Sequence, residues 1–200
     1  MRMSRWFIAG LAAAVWIPSS VLGQTKKRSF QLDPKFEPQS VPYESDLPAG
    51  SVVVDPKNRF LYLIESPFSA RRYGIGVGRA GLAWSGKAVV GRKAAWPRWI
   101  PTDDMITRDP AKYGKYAVGV DGGPENPLGA RAIYLYRDGR DTYYRIHGTN
   151  EPWTIGTAVS NGCIRMTNDH VISCTNMSAS VRRSLFWDNQ WLRLRWKADP

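Results

Sequence analysis

The feature that most constrains the fold is a hairpin signal late in the chain. Ala130–Tyr136 and Thr142–Ile146 are β-prone runs on either side of Arg137-Asp138-Gly139-Arg140. Asp-Gly between two such runs marks a tight turn, because both residues tolerate the left-handed backbone that a two-residue hairpin loop needs. The second run delivers His147, one of two histidines in the chain, at its end. Side chains at the end of a strand, held by a rigid sheet, are well placed for chemistry. A second hairpin is expected where Ser51–Asp55 and Arg59–Ile64 flank Asp55-Pro56-Lys57-Asn58. From Phe60 to Ile64 apolar residues fall on both faces, the pattern of a strand buried within a sandwich. Arg71–Val77 reads as another strand, ended by glycines.

Around these strands lie segments with weaker signals. Residues 1–23 place Arg2 and Arg5 before an apolar run from Trp6 to Ile17, then small residues, with Val21-Leu22-Gly23 as a cleavage site. That is the layout of a secretory signal peptide, and the run is short for a membrane span. Residues 24–47 are rich in Gln, Lys, Arg, Pro and Ser without periodicity and read as a flexible lead-in. The globular domain is assigned to 48–172. Within it, Ala80–Trp99 reads as a loop dense in Gly, Trp and Pro, and Gly119–Gly129 as a breaker-rich loop. Asp103, Asp104 and Asp109 read as capping residues of a short helical region rather than as catalytic carboxylates. Thr167-Asn168-Asp169 offers a helix cap, which makes His170 a helix-surface residue.

The chemistry concentrates in Ser160-Asn161-Gly162-Cys163-Ile164-Arg165, which holds one of two cysteines. A cysteine reacts as its thiolate, and a nearby base or cation supplies that form at neutral pH. His147 is the candidate base. Gly162 leaves the backbone free to approach a carbonyl, and N–H groups around Cys163 suit an oxyanion. Arg165 reads either as a cation favouring the thiolate or orienting substrate carboxylates, or as a structural ion pair. Ser160 reads as a positioning or turn-forming hydroxyl, and Gly148 as serving backbone geometry, with a nearby carbonyl fixing the imidazole. A Cys163–Cys174 disulfide would conflict with a reactive Cys163. Zinc on His147, Cys163, His170 and Cys174 is disfavoured because the long first gap lacks the paired spacing of structural zinc sites. No metal or other cofactor is expected. The formal charge of +11 suits an anionic envelope, and export argues against nucleic acid as the partner.

His147-Gly148, a gap, then Ser160-X-Gly162-Cys163-X-Arg165 resembles the motif of the L,D-transpeptidases of bacterial cell walls. The resemblance covers roughly Pro48 to Ile172, including GGPENPLGARA and RIHGTNEPW. Many members carry His where this chain has Asn161, which leaves His147 as the base. The resemblance implies a mainly β fold, a β-sandwich of mixed sheets with a short helix after the cysteine. It also implies acyl transfer through a Cys163 thioester from a peptidoglycan tetrapeptide stem to an acceptor amine, giving 3→3 cross-links. Water as acceptor would make an L,D-carboxypeptidase, an envelope protein is a possible acceptor, and a wall-binding module is the non-enzymatic alternative. Sortases share the order His, Cys, Arg but not this short gap, and papain-like hydrolases place Cys before His. The oligomeric state has no signature in the sequence.

Residues 173–200 do not fit that expectation. SVRRSLFWDNQWLRLRWKADP has a poor strand pattern, whereas the sandwich needs a closing strand. Reading Ser173–Trp191 shifted by one nucleotide, with suitable codons, gives LYEHVSVGAKVVVLGQSV, a helix end, a turn and a strand. The expectation is therefore a frameshift near Ser173, with Cys174 an accident of it.

Overall fold

The computed structural model describes residues 30–80, 82, 86–177 and 184–187. The expected signal peptide lies outside the described residues. Among the described residues eleven strands form two sheets: β1 (Gln39–Pro42), β2 (Val52–Asp55), β3 (Phe60–Ser66), β4 (Ser69–Gly74), β5 (Val77–Gly78), β6 (Gly86–Ala95), β7 (Arg131–Arg137), β8 (Arg140–His147), β9 (Ala158–Ser160), β10 (Ile164–Arg165) and β11 (Ser184–Trp187). Nine of them run in the order β1-β4-β3-β2-β11-β6-β7-β8-β10, and β5 pairs with β9. The pairing is mixed, since β2–β11, β8–β10 and β5–β9 are parallel and the other ladders antiparallel. The fold is mainly β, as expected.

Both hairpins form where local chemistry demands them. The Asp55 carboxylate accepts from Asn58 N at 3.0 Å and Asn58 Nδ2 at 2.6 Å, closing the β2–β3 turn. In the β7–β8 turn Asp138 (φ 51°) and Gly139 (φ 75°) both take the left-handed conformation. One core then gathers Val52 and Val54 of β2, Leu61 and Leu63 of β3, Ile133 and Leu135 of β7, Ile146 of β8 and Ile164 of β10. The two halves of the large sheet share this core, and α3 (Asn168–Met177) adds Val171 and Cys174 to it.

Four expectations change. The lead-in is not structureless: Pro34–Phe36 form a 3-10 turn and β1 pairs with β4. Phe36 stacks near Phe60 (5.7 Å) and Tyr43 near Tyr62 (4.9 Å), so the lead-in covers the outer-face aromatics of β3. The same cover buries His170, 8 % exposed, with Nε2 3.2 Å from Glu37 Oε2. It is not a helix-surface residue. Within the expected loop Ala80–Trp99 lies the ten-residue strand β6, paired with both β7 and β11. Gly91 forms a bulge there, against the ring of Tyr136. Finally, α3 runs on past Ser173 and β11 occupies the closing position between β2 and β6, so the tail does supply a strand in its given frame.

Asp109 does cap a helix, its carboxylate accepting from Lys112 N at the start of α2 (Pro110–Tyr113). The cap of α1 (Asp103–Arg108) is Thr102, and Asp103 and Asp104 occupy the first turn, where acidic side chains complement the helix dipole.

Candidate active site

The short parallel ladder between β8 and β10 sets His147 beside Arg165, two residues after Cys163. Its register pairs Ile146 with Ile164 and His147 with Arg165. Ile146 and Ile164 are both buried in the core. Because side chains alternate along a strand, His147 and Arg165 share the opposite face, and Cys163 immediately precedes β10. Gly76 holds the other side of β10: its N–H donates to Arg165 O at 2.9 Å and its carbonyl accepts from Arg165 N at 2.8 Å. A Cβ on Gly76 would lie 2.8 Å from Thr154 O, so glycine is what lets the two backbones approach.

His147 is 5 % exposed and its Nδ1 lies 2.5 Å from Gly148 O. A carbonyl only accepts, so Nδ1 carries the proton and Nε2 is left as the basic nitrogen. Burial first, then the Arg165 and Arg145 charges, pull its pKa down to about 3 against the Gly148 hydrogen bond. The imidazole is thus neutral at physiological pH. Cys163 is half-buried, and its Sγ donates to Tyr143 O at 3.9 Å. Burial pushes the thiol above its ordinary range, while the Arg145 backbone N–H and the Arg145 and Arg165 charges act against that shift. Burial therefore favours the neutral form of both the thiol and the imidazole.

A bulge in β8 aims Tyr143 at the sulfur. The ladder slips between Tyr134 and Tyr136 on β7, and Tyr143 takes φ 62°. Asp141 Oδ1 accepts from Tyr143 N at 2.8 Å, and Thr142 Oγ1 donates to Leu135 O at 2.6 Å, which hold the distortion. Arg145 is fixed by both Asp141 oxygens at 2.7 and 2.8 Å and stacks 4.3 Å from the Tyr134 ring centre.

The turn before Cys163 is self-tied. Ser160, 2 % exposed, donates to Cys163 O at 2.6 Å and accepts from Gly162 N at 3.1 Å. The Gly162 N–H is therefore engaged, not open to an oxyanion as the sequence suggested. Gly162 has φ 120°, and a Cβ there would lie 2.7 Å from Tyr144 Cε1 and 2.8 Å from Leu82 O. Arg165 Nη1 pairs with Glu151 Oε2 at 2.7 Å and reaches Thr154 Oγ1 at 3.4 Å. Of the two readings of Arg165, the ion pair is present, and its charge still acts on His147. Asn161 is bonded to Arg79, Arg108 and Tyr113.

With this geometry in view, the sequence model of the L,D-transpeptidase catalytic domain matches residues 49–179. The chain belongs to the L,D-transpeptidase family. Among curated relatives, the probable L,D-transpeptidase ErfK/SrfK of Salmonella typhimurium is 38 % identical over 148 residues, covering 68 % of this chain and 46 % of that protein. Its Escherichia coli counterpart is 36 % identical over 137 residues, covering 67 % and 42 %. The match thus spans less than half the length of either relative. A crystal structure from Brucella melitensis, named as a probable carnitine operon oxidoreductase caia, is 56 % identical with a TM-score of 0.54, covering 72 % of this chain and 89 % of that one.

Asn168 is the residue of this family site whose role the sequence did not reveal. Read there only as part of a helix cap, it accepts through Oδ1 from Ala130 N (2.9 Å) and Thr149 N (3.2 Å). It thereby locks the loop after His147 to the start of β7, where neither Gly129 nor Gly148 has room for a Cβ. The signal available was the pair of glycines, Gly129 and Gly148, each at the edge of a strand. Cys163 and Cys174 are free thiols, and Cys174 is buried in the core with its pKa pushed up to about 12. Among the described residues no cluster of three or more His, Cys, Asp or Glu is arranged to hold a metal ion.

Proposed function

We propose that this protein is an exported, cysteine-dependent L,D-transpeptidase acting on the tetrapeptide stems of peptidoglycan. The observation that carries the reading is the β8–β10 register, which sets His147 beside Arg165 two residues after Cys163, with the imidazole tautomer fixed by Gly148. His147 Nε2 takes the Cys163 proton as sulfur attacks the carbonyl at the L-centre of diaminopimelate. The bond to terminal D-alanine breaks, and the departing amine takes the proton back from His147. An acceptor amine then attacks the thioester carbonyl, giving its proton to His147, which returns it to the departing Cys163 sulfur as the 3→3 cross-link forms. The resting thiol and imidazole being neutral, proton transfer accompanies attack rather than preceding it. The Cys163 N–H is the candidate oxyanion donor, since the Gly162 N–H is given to Ser160. Ser160 and Gly148 shape the backbone, and Arg165 acts through its charge and its bond to Glu151.

Incubation of the purified protein with disaccharide-tetrapeptide tests the proposal. Cross-linked dimer is expected. Release of D-alanine alone indicates a carboxypeptidase, and binding without turnover a wall-binding module. Cys163→Ala is expected to lower turnover by at least about 1,000-fold, as for loss of a nucleophile. Turnover that survives this substitution sinks the mechanism.

A further inference from the structure

A cationic cluster beside Cys163 is not used by the acyl-transfer steps above. Arg79 Nη2 donates to Asn161 Oδ1 at 2.7 Å, and Arg108 Nη1 donates to the same oxygen at 3.2 Å. Asn161 Nδ2 in turn donates to the Tyr113 hydroxyl at 2.9 Å. Arg79 follows β5 and is held by its backbone, its N–H donating to Ser160 O at 3.1 Å. Arg108 ends α1, and Tyr113 ends α2. Two segments distant in sequence, one at residue 79 and one at 108–113, thus converge on the residue two before Cys163.

The charge at this point is uncompensated. Asn161 is a neutral acceptor, and among the described residues no salt bridge to a carboxylate is formed by Arg79 or Arg108. Other arginines near the site are paired, Arg145 with Asp141 and Arg165 with Glu151. Two guanidinium groups on one oxygen repel each other, and an anion between them turns that repulsion into attraction. Each guanidinium has five N–H groups in a planar fork, and few of them are spent on Asn161. Both side chains are exposed, so the remaining donors face solvent and match the two oxygens of a carboxylate.

We infer that Arg79 and Arg108, aligned by Asn161, bind the free α-carboxylate at the end of the donor stem, on the D-alanine that leaves. The inference rests on the transpeptidase reading. The distances agree with it: the terminal carboxylate is one residue from the carbonyl under attack, and Asn161 is two residues, at most about 7 Å, from Cys163. A pair of arginines that reads the chain end restricts attack to the last peptide bond of a stem. They are specificity-determining residues, with no part in the bond-making steps.

The test measures kcat and KM for D-alanine or D-alaninamide release from three stems: the free tetrapeptide, the same stem with its terminal carboxylate converted to the carboxamide, and one amidated only on the diaminopimelate side chain. The full chain is expected to favour the free acid over the terminal carboxamide by about 10-fold or more in kcat/KM. Arg79→Ala combined with Arg108→Ala is expected to raise KM for the free acid and leave the carboxamide little changed, so that the preference vanishes. The double Lys variant recovers part of it, and thermal melting stays near that of the parent because both side chains are exposed. Equal use of acid and carboxamide by the active parent overturns the site while leaving the cysteine chemistry standing. A penalty confined to the side-chain amide overturns the assignment to the terminal carboxylate. Absence of any Cys163-dependent turnover overturns the transpeptidase reading and this inference together.

Discussion

Because a carbonyl can only accept, the contact between His147 Nδ1 and Gly148 O settles which imidazole nitrogen is left basic, and burial settles its charge. With the pKa pulled from 6.5 to about 3, the base is already unprotonated across the working range. The acid limb of kcat/KM is therefore expected far below pH 6, with activity largely retained at pH 5. A limb centred between pH 6 and 7 contradicts the neutral buried imidazole. The same shift has a stability consequence. The folded pKa lies below the unfolded value, so between about pH 6.5 and pH 3 the unfolded chain holds a proton that folded His147 does not. Stability is complete above that window and is lost as pH falls through it, on the order of 1 kcal/mol per pH unit. His170, also lowered by burial, adds to the slope. Denaturant unfolding of the parent and of His147→Gln over this range separates the two: the substituted chain is expected to lose stability less steeply, and an unchanged slope contradicts the assignment.

At the scale of elements, what was legible in the sequence followed from contacts local in the chain. Asp55 to Asn58 and Asp138-Gly139 close their turns within four residues, and both hairpins were read correctly. The motif around His147 and Cys163 was legible, although the ladder that sets His147 beside Arg165 is two residues long and too short to leave a pattern. The lead-in escaped notice because its partners are remote: Phe36 lies against Gly74 and Gly156, and Glu37 meets His170. Strand β6 escaped because Gly91 at its bulge and the charges of its exposed face break the alternation that marks a strand. Arg79 and Arg108 have no signature beyond two arginines in separate segments, one after β5 and one at the end of α1. The lead-in yields a prediction of its own. A Cβ on Gly74 would come within 2.8 Å of Phe36 Cα, and one on Gly156 within 2.5 Å of Phe36 Cζ, so the ring fills a slot that only glycines leave open. Phe36→Ala empties that slot and is expected to cost roughly 3 kcal/mol in denaturant unfolding. A loss under about 0.5 kcal/mol, as for an ordinary surface side chain, contradicts the role of the lead-in as part of the folded domain.

For the whole molecule, the decisive element is β11, because it alone joins the half-sheet β1-β4-β3-β2 to the half-sheet β6-β7-β8-β10. Its ladder pairs Leu185 with both Val52 of β2 and Ala88 of β6, so a central strand position depends on a segment as short as Ser184–Trp187. A central strand satisfies the backbone donors and acceptors of two neighbours at once, and its loss exposes both edges. Removal of residues 178–200 is accordingly expected to abolish cooperative unfolding. We retain the proposal that the frame changes near Ser173. The shifted reading puts KVVVLGQSV where the closing strand belongs, and β-branched residues suit a pleated, buried strand better than a short run flanked by Arg183 and Asp188. Chains carrying the given tail and the frame-restored tail, purified alike, are expected to differ in melting temperature. The restored chain should melt higher by about 5 °C or more, the shift that 2 kcal/mol produces in a domain of this size. Equal melting, or a lower value for the restored chain, sinks the frameshift reading, as does a gene whose in-frame codons cannot encode such a strand.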